Sequence, residues 1–485
     1  MARIIATLLL LGLSAQAAPA IHALLIGGGP DKETNTAQIE EHLRFVTSLV
    51  PPSTGRILLF ADGKANSRDL SYTNASCLTQ GQRALDILLP DANLGAKVQT
   101  RTPELGAPLD GPSRLPSIDR AFRRLASLSG KNGPPILLYF AGHGSTDDDK
   151  NKTSLYDLWG DDDLDPATLA SEISILPSRI PVTLVMAQCF SGGFGNVLFK
   201  KANPDSPLSE RLITGFFAAE SDREAAGCGT ETNSPLYQDF SSYFFGALSG
   251  RDKLGHRVDG ADFNGDGHVS CHEAWCYALI HDASIDTPVC TSLIFLRRFA
   301  SVPDSTIYST PWSKLIETAT PGERAALDGL SAMLRLDGEQ RVLYAYDRLL
   351  FSDPIGQPEQ IHAYRDAQDR LSALRMASLK GLFVKWPALR WRDSPGYDRA
   401  TRGAAQDLDK DGSECQSLIQ SSSAFDDADA ALDNEEALLV RLTDLAELIV
   451  RAQYLRENAD ARTKVRFQAL WQAEQQPLGI TQAAR

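Results

Sequence analysis

The sequence predicts an α/β protein, with a three-layer architecture around a mainly parallel central sheet, followed by a mainly helical C-terminal region. Over about 200 residues after the N-terminus, short apolar runs ended by turn residues alternate with amphipathic stretches, which is typical of parallel strands joined by helices. In the last third of the chain, apolar residues recur at spacings of three and four, which is typical of packed helices. Hydrophobic residues make up 43% of the chain and charged residues 23%, so the composition excludes disordered, collagen-like and multi-span membrane proteins.

Continuous apolar runs predict the strands of the sheet. A strand that is buried on both faces is an unbroken apolar run, whereas a half-exposed strand alternates apolar and polar residues. Each run here stops at small or turn-forming residues, as the first does at the three glycines and the proline of residues 27–30. The predicted strands are residues 21–26, 56–60, 135–140, 182–186 and 212–217.

Two helices are predicted between these strands, at residues 37–50 and 117–128. In the second, Ile118, Ala121, Phe122 and Leu125 recur at helical spacing, so they share one face that can pack on the sheet.

Helical patterns dominate from about residue 304 onward. Two sets of apolar residues there lie on single helix faces, and such stripes usually form the contact between packed helices rather than a ligand groove. The sets are Ile361, Tyr364, Ala367, Leu371 and Leu374, and Leu438, Leu442, Leu445, Ile449 and Ala452. The polar residues 413–429 are expected to form a loop. We therefore expect an α/β domain over residues 19–303 and a helical region over residues 304–485.

The N-terminus has the pattern of an export signal. Arg3 precedes an apolar run at residues 4–13, and small residues at 14–18 supply an A-x-A cleavage pattern. About ten apolar residues fall short of the roughly 20 that span a bilayer. Residues 1–18 are therefore expected to be a cleaved signal peptide, and the mature chain is expected to be periplasmic or secreted, without a membrane span.

Net charge argues against a nucleic-acid partner. The chain has 48 basic and 62 acidic residues and a formal charge of −14. A protein that binds a phosphate backbone needs the opposite sign.

Seven cysteines, an odd number, leave at least one thiol outside any internal disulfide. The other six allow 15 pairings, which the sequence does not distinguish. Cys271, Cys276 and Cys290 are close in sequence, and we expect one local bridge among them. The remaining cysteines are Cys77, Cys189, Cys228 and Cys415.

Two predicted strand ends carry reactive residues. His143 and Gly144 follow the run at residues 135–140, and Cys189 follows the run at residues 182–186. Ligands of open α/β sheets bind at the carboxyl ends of strands, so the imidazole and the thiol are expected to face one cleft. There the imidazole can lower the pKa of the thiol or take its proton during attack. Backbone N–H groups of Gly144 and Cys189 can form an oxyanion hole.

These motifs resemble those of caspase-like (clan CD) cysteine peptidases. That family has a strand-His-Gly motif followed about 45 residues later by strand-Ala-x-x-Cys-x-Ser-Gly or a close variant. Here His143 and Cys189 are 46 positions apart. The resemblance covers roughly residues 21 to 300, and within the clan the chain is most similar to bacterial relatives of legumain.

The resemblance implies a cysteine endopeptidase that cleaves peptides or proteins without a cofactor for catalysis. Cys189 would be the reduced nucleophile, His143 the general base and acid, and Gly144 with Cys189 the oxyanion donors. Residues 158–163 would form a loop beside the substrate. Transfer to an amine instead of water would make the protein a transpeptidase, and a noncatalytic calcium-dependent interaction protein is the alternative from another class. Asp222 and Glu224, just past the fifth strand, are candidates for the first substrate pocket.

A twelve-residue segment matches a calcium-binding loop. It presents oxygen ligands at the required positions, glycine at position 6 and glutamate at position 12. The predicted Ca²⁺ ligands are Asp262, Asn264, Asp266, His268 through its carbonyl, Ser270 and Glu273. Residues 407–412 begin in the same way, but Leu418 replaces the final glutamate, so we expect a plain turn there. His256, His268 and His272 with Cys271 and Cys276 match no usual zinc spacing.

Overall fold

A computed structural model describes residues 21–51, 55–73, 78–90, 98–147, 153–160, 162–230, 239–352 and 355–480. The predicted signal peptide and Cys77 lie outside these described residues. The described chain is a mixed α/β protein with a helical C-terminal region, as the sequence predicts.

The strands form one large sheet and two small ones. They are β1 (His22–Gly28), β2 (Arg56–Phe60), β3 (Leu70–Tyr72), β4 (Gln99–Arg101), β5 (Ile136–Gly142), β6 (Gly144–Asp147), β7 (Thr153–Asp157), β8 (Asp163–Leu164), β9 (Val182–Met186), β10 (Ile213–Phe217) and β11 (Val289–Cys290). The large sheet has the order β11-β10-β9-β5-β1-β2, and all of its neighbours are parallel except β10 and β11. The mainly parallel sheet is confirmed.

The bounds of the central strands agree closely with those predicted from the continuous apolar runs. β2 and β9 have the predicted bounds, and β1 and β5 each continue two residues beyond the predicted end. All seven residues of β5 are buried, which explains why its sequence is unbroken by polar residues.

Seven helices of the described chain belong to the α/β region. They are α1 (Ala37–Leu49), α2 (Gln80–Leu88), α3 (Leu115–Ser129), α4 (Pro166–Ile175), α5 (Phe240–Ser249), α6 (Cys271–His281) and α7 (Thr291–Phe299). From β1 the chain passes to β2 at one edge of the sheet. It then crosses back over β1 to β5 and continues in that direction to β9. Because crossovers between parallel strands are right-handed, α1 lies on one face of the sheet, and α3 and α4 lie on the other.

The C-terminal region adds eight described helices. They are α8 (Asp304–Tyr308), α9 (Trp312–Thr318), α10 (Pro321–Met333), α11 (Arg341–Phe351), α12 (Pro358–Lys385), α13 (Tyr397–Lys410), α14 (Gly412–Asn458) and α15 (Ala461–Glu474). The 47-residue α14 packs on α10, α11 and α12, and also on α7 of the α/β region. No helix within the described ranges is long and apolar enough to cross a bilayer.

The loop prediction for residues 413–429 is wrong, because α14 covers this whole segment. Asp411 caps the helix by accepting a hydrogen bond from the Glu414 backbone N–H. Cys415 and Leu418 are buried against α2 and α13 in a small apolar cluster. The predicted turn at residues 407–412 is mostly the end of α13, with Asp411 as the connection.

Buried contacts join the helical region to the α/β region. The predicted stripe from Leu438 to Ala452 is buried in the same apolar core as the central strands. In the stripe on α12, by contrast, Leu371 is buried and its four partners are half-buried. The α/β region and α14 therefore share one core.

Candidate active site

Adjacent parallel strands bring the two motifs together. Phe140 of β5 and Met186 of β9 are partners in the ladder, and His143 and Cys189 each lie three residues beyond them. Both residues thus leave the sheet at its carboxyl edge, side by side. A side chain on Gly144 would place its Cβ 2.2 Å from the Cys189 carbonyl oxygen, so the two backbones touch where only glycine fits.

The His143 ring is held by a backbone carbonyl. Its Nε2 lies 2.9 Å from the Thr34 oxygen. Because a carbonyl only accepts hydrogen bonds, the proton belongs on Nε2 and Nδ1 is the basic nitrogen. Thr34 is fixed in turn by Asp31, whose Oδ1 accepts from the Thr34 N–H at 2.9 Å and from its hydroxyl at 2.7 Å.

This contact also explains the position of the site in the sheet. Thr34 follows β1, and His143 follows β5. The direction of the chain along the sheet reverses between these two strands, and α/β proteins bind ligands at such a switch point. Sequence patterns did not identify Thr34, because it acts through its backbone oxygen; the turn residues after β1 were the available signal.

The Cys189 sulfur is partly enclosed by the loop after β10. The Ala225 N–H lies 3.2 Å from Sγ, and the Ala225 carbonyl oxygen lies 3.6 Å from it. Burial raises the pKa of the Cys189 thiol, and the negative charges of Glu224 and Asp286 raise it further. Of the two activation routes considered from the sequence, this favours proton transfer during attack over a preformed thiolate.

A sharp turn presents the thiol. Phe190, directly after Cys189, has φ 59° and ψ 17°, which is unusual for a bulky residue. Its N–H donates to the Arg223 oxygen at 2.8 Å. Strained backbone of this kind is typical of functional turns, and here it directs the chain away from the sheet immediately after the sulfur.

A second thiol lies near the first. Cys228 donates from Sγ to the Gly142 oxygen at 3.1 Å, next to His143. Burial raises the pKa of Cys228 well above its ordinary value. It is therefore a neutral donor that ties the loop after β10 to the end of β5.

The six described cysteines are all unbridged, so the expected local disulfide is absent from the described chain. Cys271 and Cys276 lie five positions apart on α6, and five residues rotate a side chain by about 140° around a helix. Their sulfurs cannot meet. Cys290 lies in β11 beside Cys276 and is also free.

An acidic cleft of 390 Å³ is lined in part by residues 222–224 of the loop after β10, the loop that encloses the thiol. Asp222 and Glu224, the pocket candidates from the sequence, line it together with Asp433 and Glu436 from α14. Arg223 pairs with Glu436 at 2.7 Å. Three carboxylates therefore face the cleft besides this ion pair. The segment that the resemblance places beside the substrate is anchored near Thr34 by a 2.7 Å hydrogen bond from the Gly160 N–H to the Pro30 oxygen.

The calcium-like loop has the expected turns. Gly267 has φ 91°, and its N–H donates to Asp262 Oδ2 at 3.0 Å. The carboxylate of Glu273 accepts at 3.0 Å from the Asn264 and Ser270 N–H groups, forming a capping box with Ser270 at the start of α6.

The oxygen-rich side chains of this loop fit the ligand preference of Ca²⁺. To bind the ion, Glu273 would have to give up its hydrogen bonds to the Asn264 and Ser270 N–H groups. Among the residues that the structure describes, no group of three or more His, Cys, Asp or Glu side chains is gathered around a metal position. Calcium binding therefore stays a prediction. His272 is buried with its Nε2 3.2 Å from a Glu323 carboxylate oxygen, whereas His256 and His268 are exposed.

No family model matches the sequence, and no curated protein is significantly similar to it. Among solved structures, a structural-genomics target protein from Geobacter sulfurreducens is similar over 56% of this chain and 92% of its own. The two are 11% identical, with a TM-score of 0.31. This likeness is too weak to assign a fold family or an activity.

Proposed function

We propose that this protein is an exported, caspase-like cysteine endopeptidase in which Cys189 is the nucleophile and His143 the general base and acid. The observation that carries the proposal is the adjacency of the two residues at the carboxyl edge of β5 and β9, with Nε2 of His143 bonded to a carbonyl. That bond leaves Nδ1 to exchange a proton. The mainly parallel sheet and the 46-residue spacing of the motifs also support caspase-like identity.

The proposed reaction starts from a neutral thiol. As Sγ attacks the peptide carbonyl carbon, its proton moves to Nδ1 of His143, and the carbonyl oxygen becomes an oxyanion. N–H groups of Gly144 and Cys189 stabilise this oxyanion. Collapse breaks the C–N bond, His143 protonates the leaving amine, and a thioester remains. His143 then deprotonates water, whose attack releases the acid and restores the thiol.

The acidic cleft favours a basic side chain in the substrate. Asp222, Glu224 and Asp433 face a cleft formed partly by the loop that encloses the sulfur, and Arg223 is neutralised by Glu436. Charge complementarity selects partners of opposite sign and disfavours those of like sign. We therefore expect cleavage after Lys or Arg rather than after Asp.

A mixed peptide library with the purified chain tests the activity. Cys189→Ala and His143→Ala should each reduce cleavage to a few per cent or less, and the double variant should lose little more, because the two residues act as one unit. Cys415→Ala is the matched control, since Cys415 is buried in a separate cluster, and should stay active. Either dyad variant with wild-type cleavage contradicts the proposal.

The same library tests the substrate preference. Glu224→Gln should lower kcat/KM for basic substrates about two- to fivefold, the effect of one partly exposed ion pair. Asp205→Asn, which removes an 86% exposed carboxylate elsewhere, should not. Formation of a new amide bond to an added peptide amine, in excess over hydrolysis, would identify the transpeptidase alternative. Calcium-dependent binding without cleavage would identify the noncatalytic one.

A further inference from the structure

The loop that encloses the candidate nucleophile is held at several points. Ala225 donates its N–H to Cys189 Sγ at 3.2 Å. Three residues later, Cys228 donates to the Gly142 oxygen. The position of this loop therefore sets the surroundings of the sulfur and of the strand end that carries His143.

A buried carboxylate fixes the same loop from behind. Asp286 is fully buried. Its Oδ1 accepts from the Ala226 N–H at 2.6 Å, and its Oδ2 accepts from the Phe240 N–H at 2.8 Å. Since Phe240 is the first residue of α5, Asp286 joins the loop beside the sulfur to the start of that helix.

Asp286 is itself positioned by an arginine of the C-terminal region. Arg441, on α14, is 1% exposed. Its Nε donates to the Asp286 carbonyl oxygen at 2.7 Å, and its Nη groups donate to the Asp282 and Ser284 oxygens at 2.5 and 2.9 Å. A longer bond reaches the Leu279 oxygen at 3.4 Å.

These bonds match what a buried guanidinium requires. A buried charge is tolerated only when its donors are satisfied, and the planar guanidinium presents five N–H groups in fixed directions. The carbonyls around residues 282–286 must therefore keep the orientation that Arg441 dictates. Asp282 lies 3.5 Å from Nη2 and adds a compensating carboxylate.

We propose that Arg441 and Asp286 are positioning residues of the active site, so that α14 is part of the apparatus that places the Cys189 sulfur. The links run from Arg441 to the Asp286 backbone, from the Asp286 carboxylate to Ala226, and from Ala225 to Sγ. This inference rests on the proposed function for its effect on catalysis. A displacement of about 1 Å at a reacting atom costs on the order of a hundredfold in rate.

The same helix provides a matched control. Arg451 is also a buried arginine of α14, and it donates to the Ala300 oxygen at 2.5 Å and to Glu447 at 2.6 Å. Neither partner contacts the loop around the thiol directly; Glu447 is linked to Glu220, at the start of that loop, only through Arg297. Replacing Arg451 should therefore disturb packing of α14 without reaching Cys189.

The test uses the full chain with Arg441→Met, Arg441→Lys, Asp286→Asn and Arg451→Met. Two properties are measured besides the melting temperature: the rate of Cys189 alkylation by iodoacetamide across pH, read by mass spectrometry, and kcat and KM for a cleaved peptide. Arg441→Lys and Asp286→Asn each retain a polar group at the substituted position. The test can therefore be made with them if Arg441→Met does not fold.

We expect the Arg441 and Asp286 variants to alkylate faster near neutral pH than wild type, because the loop no longer encloses the sulfur. In Asp286→Asn the loss of a negative charge near Sγ acts in the same direction, so the Arg441 variants, which keep that charge, carry the test of positioning. Their kcat should fall at least tenfold with a smaller change in KM. Arg451→Met should lower the melting temperature without either change. The inference is overturned if folded Arg441 and Asp286 variants keep the wild-type alkylation profile, or if Arg451→Met alters it equally. Alkylation does not require peptidase activity, so this readout separates failure of the inference from failure of the proposed function.

Discussion

Burial determines the resting protonation state of the Cys189 thiol. Burial is the main cause that raises the thiol pKa, the charges of Glu224 and Asp286 add to it, and the hydrogen bond from the Ala225 N–H opposes it in part. A raised pKa means less thiolate at any given pH. Because thiolate is the form that reacts with alkylating agents, the resting thiol should be alkylated slowly at neutral pH. In the proposed reaction, peptide attack avoids this limit, since His143 would take the proton only as the new bond forms.

Alkylation across pH measures this property. With iodoacetamide, the midpoint of the rate increase at Cys189 should lie above about 8.5, the ordinary cysteine value, and the rate should keep rising into alkaline pH. Cys189→Ala supplies the background from the other thiols. A midpoint below about 7 would show a preformed thiolate and contradict the route proposed here.

Gly144 should tolerate no side chain. A Cβ there would lie 2.2 Å from the Cys189 oxygen and 2.8 Å from Gln188 Cγ, so one of the two strand ends must shift. Gly144→Ala should lower kcat by about a hundredfold, because the shift moves the nucleophile and its oxyanion donors. The measurement is steady-state cleavage of the best library peptide.

Gly381→Ala is the control for that substitution. Gly381 lies within α12 with open space around its Cα, so alanine should leave kcat unchanged and, through its higher helix propensity, stabilise the protein by up to about 1 kcal/mol. If the two glycine variants were equally active, Gly144 would have no role in the reaction.

At the scale of secondary-structure elements, the sequence predicted the strands that are continuous apolar runs. It missed elements whose apolar residues are few or interrupted by polar ones. β9 is a buried apolar strand with the predicted bounds. β6 and β8 are short, β7 has five residues that include polar ones, and none of the three was identified. Residues 413–429 form a helix although Cys415, Leu418 and Ser421 are its only buried residues there, too few to reveal a periodic pattern.

The site shows the same division between side chains and backbone. His143 and Cys189 were found because side-chain chemistry identifies them. Thr34 and Ala225 contribute a carbonyl and an N–H, which every residue except proline possesses. Sequence composition carries no signal for such contacts, and only the fold shows them.

The loop before α6 is the element whose conformation should depend on calcium. Asp262, Asp266 and Glu273 bring three carboxylates into twelve residues, and their mutual repulsion is relieved by a cation. Millimolar Ca²⁺ should raise the melting temperature, with a dissociation constant on the order of 10⁻⁴ to 10⁻³ M. At about 100 times that constant, binding adds roughly 2.7 kcal/mol to the free energy of unfolding.

Glu273→Gln should remove the calcium response, because it deletes the carboxylate that binds through both oxygens. It should also weaken the capping box with Ser270, so the variant is compared with itself in calcium and in chelator. If the melting temperature of initially metal-free wild-type protein changes neither with calcium nor with chelator, the calcium site is rejected.

At the scale of the whole molecule, the two predicted regions share one buried core. Leu442 and Leu445 of α14 and Phe467 of α15 belong to the same buried cluster as the central strands. Polar ties cross the same boundary: the fully buried Glu474 accepts hydrogen bonds from Thr291 Oγ1 at 2.6 Å and from the Ser292 N–H at 2.8 Å. The boundary near residue 304 thus marks a change of secondary structure within a continuous core.

Removing the helical region should therefore unfold the α/β region. A chain of residues 19–303 would expose the core surface that α14 and α15 cover, and would leave Arg297 without Asp444 and Glu447, two of its three carboxylate partners. Losing the partners of a buried charge costs on the order of 3–5 kcal/mol, and the exposed core surface adds a larger cost, against the 5–15 kcal/mol that stabilises a typical protein. We expect this fragment to bind a hydrophobic dye, to lack a cooperative melting transition by calorimetry, and to lack peptidase activity, whereas residues 19–485 show a single transition. A fragment that melts cooperatively and cleaves peptides would establish that the catalytic strands fold without α14, and would also remove the basis for assigning Arg441 a role at the thiol.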